Sequence, residues 1–178
     1  METIKQFEKF VLKSLRFIKY KSLNMKAESG KVLRRIGVLK NQYSELKALH
    51  NAYEGKRCFV ICTGPSLTLE DLDKIKDEYT FGMNSICKLT EQMGWIPTFY
   101  GIQDYKVYES IKDNIYMGSS CTYFTTDKMK ERFDLGDYWT FFPFNFYYHF
   151  YEHHEKNKLF VNFSSDCHEV VYDGYSIT

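Results

Sequence analysis

From Met1 to about Asn24, apolar residues recur at Ile4, Phe7, Val11, Leu15 and Ile18, while Lys5, Lys9, Lys13, Arg16, Lys19 and Lys21 dominate the polar side. Steps of three and four trace one face of a helix, so the pattern predicts a basic amphipathic helix. Such a helix packs on its own domain or on a partner, or lies as a peripheral anchor on an anionic membrane surface; packing is the commoner case. Ser29-Gly30 then breaks the pattern. A second helix is expected as far as Tyr53, because Val32, Ile36, Leu39, Tyr43, Leu46, His50 and Tyr53 alternate steps of four and three as a heptad seam. That seam, over residues 31–53, would be buried against the first helix or against a second copy of the chain. Gly55 ends it.

From Lys56 onward the texture changes to short apolar runs alternating with short helical patterns, which predicts parallel strands. Cys58 to Cys62 reads as a buried strand, Thr63 to Ser66 as a tight turn, and Thr68 with Asp71 as a capping box for a helix starting near Leu69. Further strands are expected over Tyr79 to Met83, Thr98 to Ile102, Cys121 to Phe124, Tyr138 to Phe142 and Leu159 to Phe163. The fold class is therefore α/β: a Rossmann-like, mostly parallel sheet with flanking helices over residues 55–178, preceded by a helical extension over residues 1–54.

In open α/β sheets, ligands sit outside the carboxyl ends of strands. Those ends carry Thr63-Gly64, Asn84-Ser85, Gln103-Asp104 and Thr125-Thr126, small polar residues suited to lining a pocket. The strand, Gly-Pro-Ser turn and helix start around Gly64 leave backbone N–H groups facing outward, an arrangement that suits phosphate. It is neither a P-loop, which ends in Gly-Lys-Ser/Thr, nor a dinucleotide fingerprint, which needs three spaced glycines. Asp104 reads equally as a magnesium ligand or base and as the N-cap of a helix from Tyr105. His149 and His153 are four apart, with Cys167-His168 further on, but Glu152 lies outside the His-Glu-x-x-His order and no metal is assigned.

Length and composition narrow the field. A chain of 178 residues accommodates one domain with a real core. A net charge of +1, with no basic run interleaved with aromatics, argues against nucleic acid as a partner. Five cysteines without Cys-x-x-Cys spacing read as reduced core residues of a cytosolic protein. No apolar stretch reaches the length of a membrane span, and the N-terminus lacks the uncharged core of a signal peptide. A cytoplasmic protein is expected, peripheral at the inner face of the cell membrane if residues 1–24 act as an anchor.

Cys62-Thr63-Gly64-Pro65-Ser66-Leu67, followed by Phe81-Gly82-Met83-Asn84 and Tyr100-Gly101-Ile102-Gln103-Asp104, resembles a known pattern. It is similar to the domain shared by MptE-like 6-hydroxymethylpterin pyrophosphokinases and bacterial motility accessory factors, and more distantly to the family 42 sialyltransferases. Those proteins carry a Gly-x-Gly-Pro-Ser-Leu-type turn after the first strand, an Asn after the second, and a Gly/Ser/Thr segment opening a later helix. Tyr172 to Thr178 looks like the start of that last segment. The resemblance implies that Cys62, Thr63, Gly64, Pro65 and Ser66 hold the phosphates or ribose of a nucleotide, that Asn84 bonds the nucleotide or the transferred group, and that Ser176 and Thr178 close the pocket.

It further implies a transferase using a nucleotide-activated donor, a CMP-sugar or another nucleotide sugar, with a glycan acceptor. Diphosphate transfer from ATP with magnesium is the alternative, and a non-catalytic assembly module a second one. The sialyltransferases have Gly-Asn where this chain has Cys62-Thr63, which weakens the CMP-sugar expectation. Asp173-Gly174-Tyr175-Ser176 reads as a turn and N-cap with no helix after it. The domain is thus expected to be incomplete at its C-terminus, with its main catalytic base beyond Thr178.

Overall fold

The computed structural model describes residues 2–40, 43–145, 166–168 and 171–172. The chain divides into two compact units, one holding Met1–Gln42 and the described part of Pro143–Tyr175, the other Tyr43–Phe142.

The first unit is built on α1, Glu2–Arg35, a single helix of 34 residues. It runs straight through Ser29-Gly30, where the sequence pattern predicts a break. Glycine inside a helix costs only about 1 kcal/mol, and Lys31 pairs with Glu28 at 2.8 Å across that point. The real stop is Gly37, at φ +76°. Its N–H donates to the Arg34 carbonyl at 3.1 Å and that of Val38 to the Leu33 carbonyl at 2.9 Å, the paired bonds of a Schellman cap. The heptad expected over residues 31–53 is therefore not carried on one helix. Val32 lies in α1, Ile36 and Leu39 lie past its end, and Leu46 lies on the short α2, Ser44–Ala48.

Two short strands complete this unit, β6 (Phe144–Asn145) and β7 (Val171–Tyr172), paired in parallel. Arg35 pairs with the Asp166 carboxylate, whose Oδ1 also accepts from the His168 N–H at 2.9 Å and lies 2.8 Å from its Nδ1. Burial of Asp166 opposes its ionisation, but the His168 N–H, Arg35 and the His168 ring together outweigh it and hold this carboxyl well below the usual range.

The second unit is a five-stranded, all-parallel sheet: β1 (Cys58–Ile61), β2 (Tyr79–Met83), β3 (Phe99–Ile102), β4 (Thr122–Thr126) and β5 (Trp139–Phe142), in the spatial order β1-β2-β3-β4-β5. This is an α/β fold of Rossmann-like type. α3 (Leu69–Asp73), a 3₁₀ turn at Asn84–Leu89, α4 (Thr90–Met93), α5 (Tyr105–Ile111) and α6 (Asp127–Arg132) fill the crossovers. Strands in sequential order joined by right-handed crossovers put every connection on the same side. The core records this: Ile61, Tyr100, Ile102, Tyr123 and Trp139 from the strands pack with Leu72, Ile86 and Ile111 from the crossovers. Gly82 lies on this face because a Cβ there would meet Ile86 and Pro97 at 2.7 and 2.8 Å.

The opposite face is aromatic. Phe81 stacks with Phe99 and Phe124 at centroid distances of 6.2 and 5.9 Å, and a Cβ on Gly101 would strike the Phe81 ring at 2.9 Å. Among the described residues Tyr53 reaches this side, edge-on to Tyr79 and Phe99 at 5.0 and 5.1 Å. Tyr43 is buried and donates its hydroxyl to Asp127 Oδ2 at 2.9 Å. β1 sits at the sheet edge, so of its four residues only Ile61 is buried, where the apolar run predicts a buried strand. The cysteines are corrected too: Cys58 and Cys62, at this edge strand, are exposed, Cys121 and Cys167 are half-buried, and only Cys87 belongs to the core. The sixth expected strand, Leu159 to Phe163, lies outside the described residues.

Candidate functional site

Because all five strands run in parallel, their carboxyl ends share one edge. That edge brings together Thr63 to Ser66 after β1, Asn84 and Ser85 after β2, Gln103 and Asp104 after β3, and Asp127 after β4. Cys62, Thr63, Gly64, Pro65 and Ser66 are all exposed. The turn closes on one bond, the Leu67 N–H donating to the Gly64 carbonyl at 3.1 Å. The Gly64 and Ser66 amides make no hydrogen bond among the described residues. A Cβ on Gly64 would meet nothing within 4 Å, so the space over the turn is open.

The helix after the turn contributes less than the sequence suggests. α3 has five residues, and Glu70 and Asp71 stand in its first turn, where they already complement the dipole. The capping box forms: Thr68 Oγ1 accepts from the Asp71 N–H at 3.1 Å and donates to its carboxylate at 2.6 Å. That hydroxyl, and then Lys74, lower the Asp71 carboxyl below its ordinary value. An anion here has to be held by turn amides.

Asn84 is the residue whose backbone stands out. At φ +49° it is left-handed, a conformation that Asn tolerates better than other side chains with a Cβ. Tyr100 holds it there by donating its buried hydroxyl to the Asn84 carbonyl at 2.7 Å. The Asn84 amide, with the hydroxyls of Thr63, Ser66 and Ser85 and the Gln103 amide, makes no side-chain hydrogen bond among the described residues. Asp104 has the capping role: its Oδ1 accepts from the N–H groups of Lys106 and Val107 at 2.7 and 3.2 Å. Thr126 caps α6 in the same way, and Thr125 is buried, donating to the Ile102 carbonyl at 2.7 Å. These two threonines are structural. Ser176 and Thr178, and with them His149 and His153, lie outside the described residues.

Asp127, which the sequence pattern offers only as a helix cap beside Thr125 and Thr126, follows β4 as Asp104 follows β3, a carboxylate one or two residues past a strand. The described part of the sheet has no reversal of strand order, so it lacks the switch point at which doubly wound folds open their crevice. A small cavity, about 10 Å³ and room for roughly one water, lies instead under the crossover layer between Cys87, Tyr100, Cys121 and Tyr123. Burial raises both thiols, Cys121 to about 11, and pushes Tyr123 up to about 12. Protonated thiols at neutral pH are core groups and poor nucleophiles.

Comparison of the chain with family models, with curated proteins and with solved structures gave no significant match. Among the described residues no helix is long and apolar enough to cross a membrane.

Proposed function

We propose that the second unit binds a nucleotide across the carboxyl ends of β1 to β3 and belongs to a transferase that uses a nucleotide-activated donor, with glycosyl transfer to a glycan as the preferred reaction. The observation that carries the binding reading is the turn at Gly64. Its Gly64 and Ser66 amides make no hydrogen bond among the described residues and belong to exposed residues, and Asn84 stands on the neighbouring strand end with a side-chain amide likewise unbonded among them. Amides of the turn would hold the phosphate of the donor and take up the charge that develops on the leaving nucleotide. Asn84, fixed by Tyr100, would bond the ribose or the sugar. The reaction class rests on the resemblance of Cys62 to Leu67 and Phe81 to Asn84 to the transferase families named above.

Asp104 and Asp127, at adjacent strand ends, favour a second reading in which ATP and magnesium supply a diphosphate for transfer. Asp104 still has its carboxylate at the edge while capping α5, and a hard cation takes oxygen ligands of this kind. Nucleotide release distinguishes the two. Glycosyl transfer predicts slow release of CMP or UDP from the matching nucleotide sugar without added metal. Diphosphate transfer predicts AMP from ATP only with magnesium, lost in Asp104→Asn. Release of neither product, from a chain that binds no nucleotide, would leave the non-catalytic module as the reading.

A further inference from the structure

We infer that α1 is a lipid-surface helix that lies flat on an anionic bilayer. The observations are its continuity, its exposure, its charge and the shape of its apolar stripe. An uninterrupted helix of 34 residues, about 51 Å long at 1.5 Å per residue, cannot fold back on itself to bury the stripe as a two-helix hairpin would. Ile4, Phe7, Leu15, Ile18 and Met25 are 65, 67, 58, 63 and 69 % exposed. At 100° per residue they and Val11 fall on one side of the helix, with Phe10 and Phe17 widening it on one flank. The charge is concentrated here: α1 carries ten Lys and Arg against three Glu, while the whole chain carries 24 against 23. Lys19 and Lys26 border one side of the stripe and Lys21 the other, Lys21 reaching over the Phe17 ring at 5.7 Å. Cations at the borders of an apolar face reach lipid phosphates while their stems stay in the interface.

A second copy of the chain is the competing occupant, and the spacing disfavours it. A two-stranded seam through Ile4, Val11, Ile18 and Met25 would take its other core position at Phe7, Ser14, Lys21 and Glu28, or at Glu8, Leu15 and Ser22. Either choice buries charge. A broad lipid-facing stripe needs no such register, and the ten Lys and Arg of this helix exclude a membrane-spanning role.

The test is co-sedimentation of the purified chain with vesicles of phosphatidylcholine alone, or with about 30 % phosphatidylglycerol, a composition giving a negative surface potential. The expected result is pelleting with the anionic vesicles only, falling at least tenfold when salt is raised from about 0.1 to about 0.5 M. Each basic residue near such a surface contributes about fivefold in partitioning, so Lys19→Gln with Lys21→Gln and Lys26→Gln should lose about a hundredfold. Phe7→Asp with Ile18→Asp should abolish pelleting while leaving the thermal melt in place, since both side chains are exposed. Equal binding to neutral vesicles, binding indifferent to the lysines, or no pelleting at all would overturn the inference. A dimer mass by light scattering that Phe7→Asp with Ile18→Asp reduces to a monomer, without pelleting, would assign the stripe to a second copy.

Discussion

Asn84 shows how one residue couples packing to the site. Its left-handed backbone ends β2, and its carbonyl is the acceptor that satisfies the buried Tyr100 hydroxyl, so a core tyrosine sets the direction of a strand-end amide. Tyr123 does the same for the segment before β4, donating to the Tyr116 carbonyl at 2.6 Å and accepting from the Gly118 N–H at 2.9 Å. Tyr123→Phe strips both bonds and should cost about 1–3 kcal/mol, read as a lower denaturation midpoint with unchanged slope. Burial raises Tyr123 to about 12 and Cys121 to about 11, against ordinary values of 10.0 and 9.0. Groups raised in the folded state keep their proton while the unfolded chain releases it, so their contribution is complete below the unfolded values and is lost as pH climbs through the folded ones. Stability should fall progressively from about pH 9 to 12, and the upper part of that fall, from about 10 to 12, should shrink in Tyr123→Phe. A midpoint flat in pH over that window would contradict the packing described.

Among the elements, the strands were legible in the sequence and the helical extension only half so. Tyr79 to Met83 and the runs ending at Ile102 and Phe142 are short, β-rich and bounded by turn residues, and each is a strand of the sheet. The turn at Gly64, the capping box at Thr68 and the strand-end positions of Asn84, Gln103 and Asp104 were equally legible, because local chemistry specifies them. The extension was misread because three glycines compete for the role of helix stop. Gly30 and Gly55 looked like breaks, whereas Gly37 is the one whose carbonyl partners, Arg34 and Leu33, complete a cap. Tyr43 and Tyr53, which continue an apparent heptad, are drawn to the sheet instead, since a buried hydroxyl bond to Asp127 and an aromatic face outweigh helical periodicity. Gly37→Ala forces a Cβ into φ +76° and should cost about 1–2 kcal/mol of helix stability. Circular dichroism should show the last turn of α1 frayed, and unchanged helicity and melting would mean that Gly37 is not the stop.

For the whole molecule, the order of the strands decides most. A sheet wound in one direction gathers its crossovers on the face of Ile61, Tyr100 and Tyr123, while on the face of Phe81, Phe99 and Phe124 the described contacts include Tyr53, edge-on to Tyr79 and Phe99. Sequence periodicity marks strands but carries no signal for their order, so this asymmetry could not be read in advance, nor could the exposure of Cys58 and Cys62 on the edge strand. Parallel direction, by contrast, follows from the helical crossovers and is what brings four strand ends to one edge. The nucleotide we propose would lie along this edge. The most direct measurement is a thermal-shift series on the full chain with CMP, CDP, UDP, GDP and ATP, each with and without magnesium, repeated on Gly64→Val. A Cβ at Gly64 meets nothing, so that variant should melt as the parent does. One nucleotide, at about 100 times its dissociation constant, should stabilise the parent by roughly 2.7 kcal/mol and the variant not at all. A cooperative melt unmoved by every nucleotide, or a shift equal in the parent and in Gly64→Val, would contradict the account.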